Sequence, residues 1–253
     1  MFCVLSVRKR NSTLFEKFFG RFMVDDFSVK TIPVYKGAPF FNLVVTTSKR
    51  EINWEDVIFA VGRCASRIVL NGEITLPENP NIGIFKSDIL YKKMLNNTFL
   101  QILENNNVRP YQISVMDKKA LNTDFTEIVS RYASTLNICT TNKEKYISAC
   151  DEITRTTGMC PVLKSDFADS EIKINTDMGT MTICQENENL NISAGVDFAV
   201  PSAYENLLPQ GVGKYDFYSA LYELCGVFSI GEGIFNTITV NNEKKNIQEV
   251  HFS

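Results

Sequence analysis

The residues best suited to chemistry in this chain are basic and hydroxylated. Thr140-Thr141-Asn142-Lys143-Glu144-Lys145 follows an apolar stretch and sets hydroxyl, amide and ammonium groups side by side. Such a set can hold a phosphate, because hydroxyls and amides bond its oxygens while a lysine pairs with its charge. Lys118-Lys119 is a second candidate for holding an anion. Both segments also have a plainer reading. Thr141-x-x-Glu144 has the pattern of a helix capping box with solvated lysines beside it, and Lys118-Lys119 that of a charged surface turn. Other chemistries find less support. The chain has a single histidine, His251, so catalysis or metal binding that needs several histidines is excluded. A cysteine nucleophile would lack a base other than that residue, which sits in the tail. Asp25-Asp26, and Asp166 with Asp169, read first as turn and cap residues. Gly211-Val212-Gly213 follows Pro209-Gln210 and no clear strand, and the P-loop spacing from Gly226 to Gly231 is followed by Glu232 where a lysine is required. Walker-type nucleotide hydrolysis is therefore rejected.

The elements that must position these residues are read from periodicity. Strands are expected at Phe2–Val7, Phe41–Thr47 and Arg67–Leu70. Between the last two lies a helix capped by Asn53, with Trp54, Val57, Ile58, Val61, Cys64 and Ala65 on one face. A long helix is expected from about Ser87 to Glu104, stopped by Asn105-Asn106-Asn107 and Arg109-Pro110. That break predicts two domains, an N-terminal α/β domain over 1–108 and a second over 109–253. The second opens with a strand at Gln112–Met116, a helix over Asp124–Ser134 whose Asp124-x-x-Glu127 resembles a capping box, and a strand at Thr135–Thr140. A helix follows with Tyr146, Ile147, Cys150 and Ile153 on one face and Gly158 past its end, then a short strand at Pro161–Leu163. This alternation implies a parallel sheet covered on both faces. Strands at Glu171–Asn175, Thr180–Cys184 and Leu190–Ser193 come next. Ser202-x-x-Glu205 then caps a helical turn, Phe217, Ala220, Leu221, Leu224 and Cys225 share a helix face, and Phe235–Val240 has the weak alternation of an edge strand.

The stretch from Gln112 to about Asn175 resembles the nucleotide-binding half of Rossmann enzymes such as shikimate dehydrogenase and glutamyl-tRNA reductase. Asn137–Lys145 is similar to the end of the second strand in NADP-using members, where Asn, Thr and a basic residue replace the ribose-binding acid. Ala168-Asp169-Ser170-Glu171-Ile172-Lys173-Ile174-Asn175-Thr176 is similar to the segment those enzymes place beside the nicotinamide. The resemblance implies a Rossmann-like, mostly parallel three-layer domain with NADP as cofactor. Lys118, Lys119, Thr140, Thr141, Asn142, Lys143, Lys145 and Asn175 would be the residues that bind it. The chain departs from the pattern at the first turn, Asp117-Lys118-Lys119-Ala120-Leu121-Asn122-Thr123. It has no glycine there to let the backbone approach a pyrophosphate.

Composition bounds the rest. The 253 residues are 44% hydrophobic and 22% charged, which excludes a disordered or low-complexity chain. A net charge of −3 argues against nucleic acid as the principal partner. No apolar run reaches the roughly 20 residues of a membrane span. The opening strand precedes its basic residues, unlike a secretory leader. Seven cysteines without a C-x-x-C suggest reduced thiols and a cytoplasmic protein, in which the sequons at Asn11, Asn96 and Asn191 carry no meaning. Three functions are expected in turn: a binding protein for a nucleotide or other small ligand on a degenerate Rossmann-like domain, an NADP-dependent oxidoreductase with an atypical phosphate turn, and an interaction module that docks a partner or forms a homo-oligomer.

Overall fold

The computed structural model describes residues 1–10, 24–48, 51–72, 74, 77–79, 81–86, 89–185 and 189–252. The sequon at Asn11 and the helix start at Ser87 lie outside the described residues. The chain is mixed α/β and divides into two compact units. One comprises Met1–Tyr91 and Val200–Gly231, the other Lys92–Ala199 and Glu232–Ser253. This division differs from a cut after residue 108. The long helix belongs from Lys92 onward to the second unit, and the chain returns to the first for one excursion.

Elements are numbered along the chain. In the first unit a four-stranded sheet has the order β2-β3-β1-β4, formed by β1 (Cys3–Lys9), β2 (Asp26–Val34), β3 (Gly37–Thr47) and β4 (Ile68–Asn71). β1 lies parallel to both β3 and β4, and β2 pairs antiparallel with β3. Helix α1 (Trp54–Val61) makes the crossover from β3 to β4. Asn53 caps it, its side chain accepting the Glu55 N–H at 3.2 Å, and a 3₁₀ turn (Gly62–Ser66) continues it. Val57, Val61 and Ala65 pack with Cys3, Leu5, Leu43 and Val45. Strand residues of the other parity meet the returning segment. Phe2 and Phe40 stack at 5.1 Å, and Phe217 closes on them edge-on at 5.9 and 5.4 Å. Phe217 belongs to the helix Lys214–Cys225, whose Ala220, Leu221 and Cys225 are also buried. Strand β2 goes beyond the strands expected from the sequence; most of its residues are exposed and Pro33 sits within it.

The second unit contains an eight-stranded sheet. Its first four strands are β5 (Tyr111–Met116), β6 (Ala133–Cys139), β7 (Val162–Lys164) and β8 (Ile172–Asn175), parallel in the order β7-β6-β5-β8. β9 (Thr180–Ile183), β10 (Leu190–Phe198), β11 (Phe235–Val240) and β12 (Glu243–Asn246) extend it as an antiparallel meander. Phe235–Val240 is thus an inner strand, and the edge is β12. A two-residue turn, Asn241-Asn242, joins them with both φ positive, the backbone a tight hairpin requires. With α2 (Ile89–Asn105) counted, the crossover helices are α3 (Thr123–Val129) and α4 (Lys143–Thr157). Gly158 ends α4 in the left-handed conformation.

Three expected caps differ. α3 starts after Asn122 rather than at Asp124, α4 starts after Asn142 rather than Thr141, and Pro201 precedes the turn Ser202–Glu205 with no side-chain cap. Ile147 lies exposed, and Ala149 joins Tyr146 and Ile153 in the core in its place.

One sheet face is apolar from β6 through to β11. Ile113, Val115, Leu136, Ile138, Ile172, Ile174, Met181, Ile183, Ile192, Ile238 and Val240 share it, and all are buried. The opposite face is not covered by a crossover helix at β5 and β6. The link from β7 to β8, residues 165–171, holds no helix and lies against small side chains. Ser170 Oγ bonds Ser114 Oγ at 3.0 Å, and Cys139 Sγ donates to the Asp166 carbonyl at 3.0 Å. The link thus seats directly on Ser114 and Cys139.

The tail is tied to this unit by Asn106. Its amide donates to the Ile102 and Val250 carbonyls and accepts the Phe252 N–H, while its own carbonyl accepts the Tyr111 hydroxyl. Among the described residues no helix is long and apolar enough to cross a membrane.

Two outcomes test this packing. Phe217→Ala should lower unfolding stability by about 3–5 kcal/mol and raise amide exchange in β1 and β3, as followed by urea titration and hydrogen exchange. Arg109 makes a bidentate contact with Glu171, which also accepts the Gln112 N–H; the Arg109 hydrogen bond holds the Glu171 carboxyl below its usual range. A depressed carboxylate stabilises the fold above its unfolded pKa and loses that contribution as pH falls through the native value. Glu171→Gln should therefore melt below the parent at pH 7, and the gap should close as pH drops below the ordinary carboxylate range.

Candidate functional site

The carboxyl ends of β5, β6 and β8 bring the expected site residues to one tip. Asp117 follows β5 directly and is fully buried. Its carboxylate accepts the backbone N–H groups of Leu121 at 3.1 Å and Asn122 at 2.7 Å, and the Tyr146 hydroxyl at 2.9 Å. Tyr146, on the first turn of α4, is fully buried beside Thr126, whose Oγ1 lies 3.1 Å from its hydroxyl. Burial pushes the Tyr146 phenol far up, against a smaller lowering by Thr126, so it stays a hydrogen-bond donor. The turn therefore folds around its own anion. Its N–H groups point inward to Asp117, where a glycine loop would point them outward to phosphate. Ala120 holds φ +53° within the turn, a conformation costing a side-chain-bearing residue about 1–2 kcal/mol.

The outer surface of the turn is also fixed. The Lys118 carbonyl accepts from Thr141 Oγ1 at 2.7 Å, the Thr141 N–H at 3.2 Å and Thr140 Oγ1 at 3.3 Å. The Lys118 N–H donates to Asp177 at 3.1 Å. Thr140 Oγ1 accepts the Asn142 N–H at 3.1 Å. The Thr141 hydroxyl thus braces Lys118 and does not cap α4, which corrects the capping-box reading. Asn175 ends β8, and its side-chain carbonyl accepts the N–H groups of Asp177 and Met178 at 3.1 Å each. Thr176 Oγ1 donates to the Met116 carbonyl at 2.8 Å and lies 3.2 Å from the Asn122 amide, which links β8 to β5.

Of the eight expected residues, Thr140, Thr141 and Asn175 thus spend side-chain oxygens on the chain itself. Lys118, Lys119, Lys143 and Lys145 are exposed at the tip, and Asn142 is half-buried. What the tip offers a ligand is a set of ammonium groups above a closed backbone.

A carboxylate placed directly after an apolar strand, with a tyrosine in the second crossover helix, is the sequence signal for this cluster. Cys139 is fully buried at the same end; burial raises its thiol pKa, and its sulfur bonds the Asp166 carbonyl, neither of which makes a nucleophile. Among the described residues no cluster of three or more His, Cys, Asp or Glu is placed to hold a metal ion.

Removing the internal anion should open the turn. Asp117→Ala leaves the buried Asn122 N–H and the part-buried Leu121 N–H without their acceptor, at about 1–3 kcal/mol each, so a loss of about 2–6 kcal/mol is expected in urea unfolding. Tyr146→Phe deletes the hydroxyl's bonds to Asp117 and Thr126 and should cost about 1–3 kcal/mol. Comparison with family models, with curated proteins and with solved structures finds no match to the chain.

Proposed function

We propose that the chain is a binding protein whose second unit is a Rossmann-like domain with its phosphate cradle closed. It holds a phosphate-bearing small ligand on lysine side chains and transfers no hydride. The strand order β7-β6-β5-β8 supports the fold part of this reading, since the first half of a dinucleotide-binding domain runs third, second, first, fourth. The crevice of such a sheet opens between β5 and β8, where the chain reverses its direction of travel. The observation that carries the rest is the Asp117 carboxylate on the N–H groups of Leu121 and Asn122. A dinucleotide needs those donors for its pyrophosphate, and here they are taken.

Thr140 and Thr141, expected to read a 2′-phosphate, brace Lys118. Lys118, Lys119, Lys143 and Lys145 remain as ligand-facing groups. Exposed lysines bind anions loosely and with a strong dependence on salt. Seven unpaired cysteines suit a reducing, cytoplasmic setting. Self-association through the larger sheet is disfavoured by its edges, because β7 has three residues and β12 carries Lys244 and Lys245.

Thermal melts with NADPH, NADH, ATP and S-adenosylmethionine test the reading. ATP and NADPH should raise the midpoint modestly and to similar extents, the shift should fade by 0.5 M salt, and Lys143→Gln with Lys145→Gln should reduce it equally for both. A salt-resistant shift confined to NADPH would overturn the closed cradle in favour of the oxidoreductase. No shift with any of the four would remove the binding role and leave the interaction module.

A further inference from the structure

We propose a second, independent anion site in the first unit, at the end of α1, that takes a phosphate monoester with an apolar body. A cavity of about 790 Å³ lies there, lined in part by Ile58, Arg63, Cys64, Ser66, Arg67 and Asn81. That volume falls within the range of small-molecule sites. Arg63 and Arg67 are exposed, four residues apart across the 3₁₀ turn, and neither side chain has a carboxylate partner among the described residues. Among the described residues none that lines the cavity is acidic. Like charges at this spacing oppose each other, and a dianion between two guanidinium groups turns that repulsion into paired, charge-assisted hydrogen bonds.

The rim is built rather than incidental. Gly83 lies so close to the turn that a Cβ there would sit 2.9 Å from the Ser66 carbonyl, so only glycine lets the loop seat. Its N–H donates to the Ala65 carbonyl at 3.0 Å, and its carbonyl accepts the Ile68 N–H at 2.8 Å. Asn79 folds the loop by accepting the Asn81 N–H on its side chain at 2.9 Å and the Ile82 N–H on its carbonyl at 3.1 Å. Ile82 is thereby anchored in the core and Asn81 is carried to the cavity wall. Ile58 and the half-buried Cys64 supply an apolar floor for the organic part of the ligand, and the Ser66 hydroxyl, which donates to the Arg63 carbonyl at 2.9 Å, keeps its lone pairs at the rim.

Phenyl phosphate, inorganic phosphate and phenol are the probes, titrated calorimetrically at constant ionic strength. Phenyl phosphate should bind about tenfold or more tightly than inorganic phosphate, and phenol should show no heat. Arg63→Gln and Arg67→Gln, both surface changes, should each weaken phenyl phosphate at least about tenfold, while Lys143→Gln with Lys145→Gln leaves it unchanged. Iodoacetamide labelling read peptide by peptide gives a second readout: phenyl phosphate should slow modification of Cys64 and leave the exposed Cys160 at its own rate. Affinity retained in both arginine variants, or lost in the lysine variant, overturns the site. So does Cys64 labelling that phenyl phosphate does not slow.

Discussion

The second unit turns on one buried carboxylate. Asp117 is fully enclosed at the end of β5, and such a group is tolerable only when its oxygens are bonded. Two backbone N–H groups and the Tyr146 hydroxyl meet that demand. Each donor comes from a place the fold must then hold: the turn into α3, the start of α3 and the first turn of α4. The carboxylate therefore fixes how the two crossover helices leave the strand ends. It does so with the same donors that a glycine loop would offer to a ligand. Closure of the turn leaves those two N–H groups bonded within the chain.

The surrounding hydrogen bonds reinforce this closure from outside. The Lys118 carbonyl collects three donors from Thr140 and Thr141, and its N–H reaches Asp177 beyond β8. Three strand ends are joined through one turn residue's backbone, while its ammonium group stays in solvent. A lysine in such a position can be positively charged and structurally essential at once, because the two properties live on different atoms. The exposed lysines are thus the part of the tip that a ligand can reach without unfolding it.

Much of the architecture is written in side-chain periodicity. Asn53 caps α1 as its type and place suggest, Gly158 ends α4, and the alternation around Ile172, Ile174, Met181 and Ile183 marks β8 and β9. Other features depend on partners distant in the chain. Strand β2 is an edge strand with mostly exposed residues, and its pairing with β3 defines it. Phe235–Val240 reads as an edge because the hairpin through Asn241-Asn242 was not recognised as a turn. The excursion Val200–Gly231 joins the first unit because Phe217 completes an aromatic cluster begun by Phe2 and Phe40, a fact no local window contains.

The amino-acid sequence by itself determined the α/β class, the run of strands and helices from β5 to β8, and the absence of glycine after β5. Those properties are set by period, composition and steric freedom, which act within a few residues. It also put lysines and threonines where a phosphate could be held. Tertiary structure alone decided what those residues do. Whether a threonine hydroxyl faces a ligand or a carbonyl depends on which strand end lies 3 Å away, and Lys118 lies 22 residues before Thr140. Equally, the gathering of Arg63, Arg67 and Asn81 around one cavity needs three-dimensional closeness. Hydrogen bonds and charge pairs are short-ranged, so their partners are chosen by the fold and not by the order of the chain.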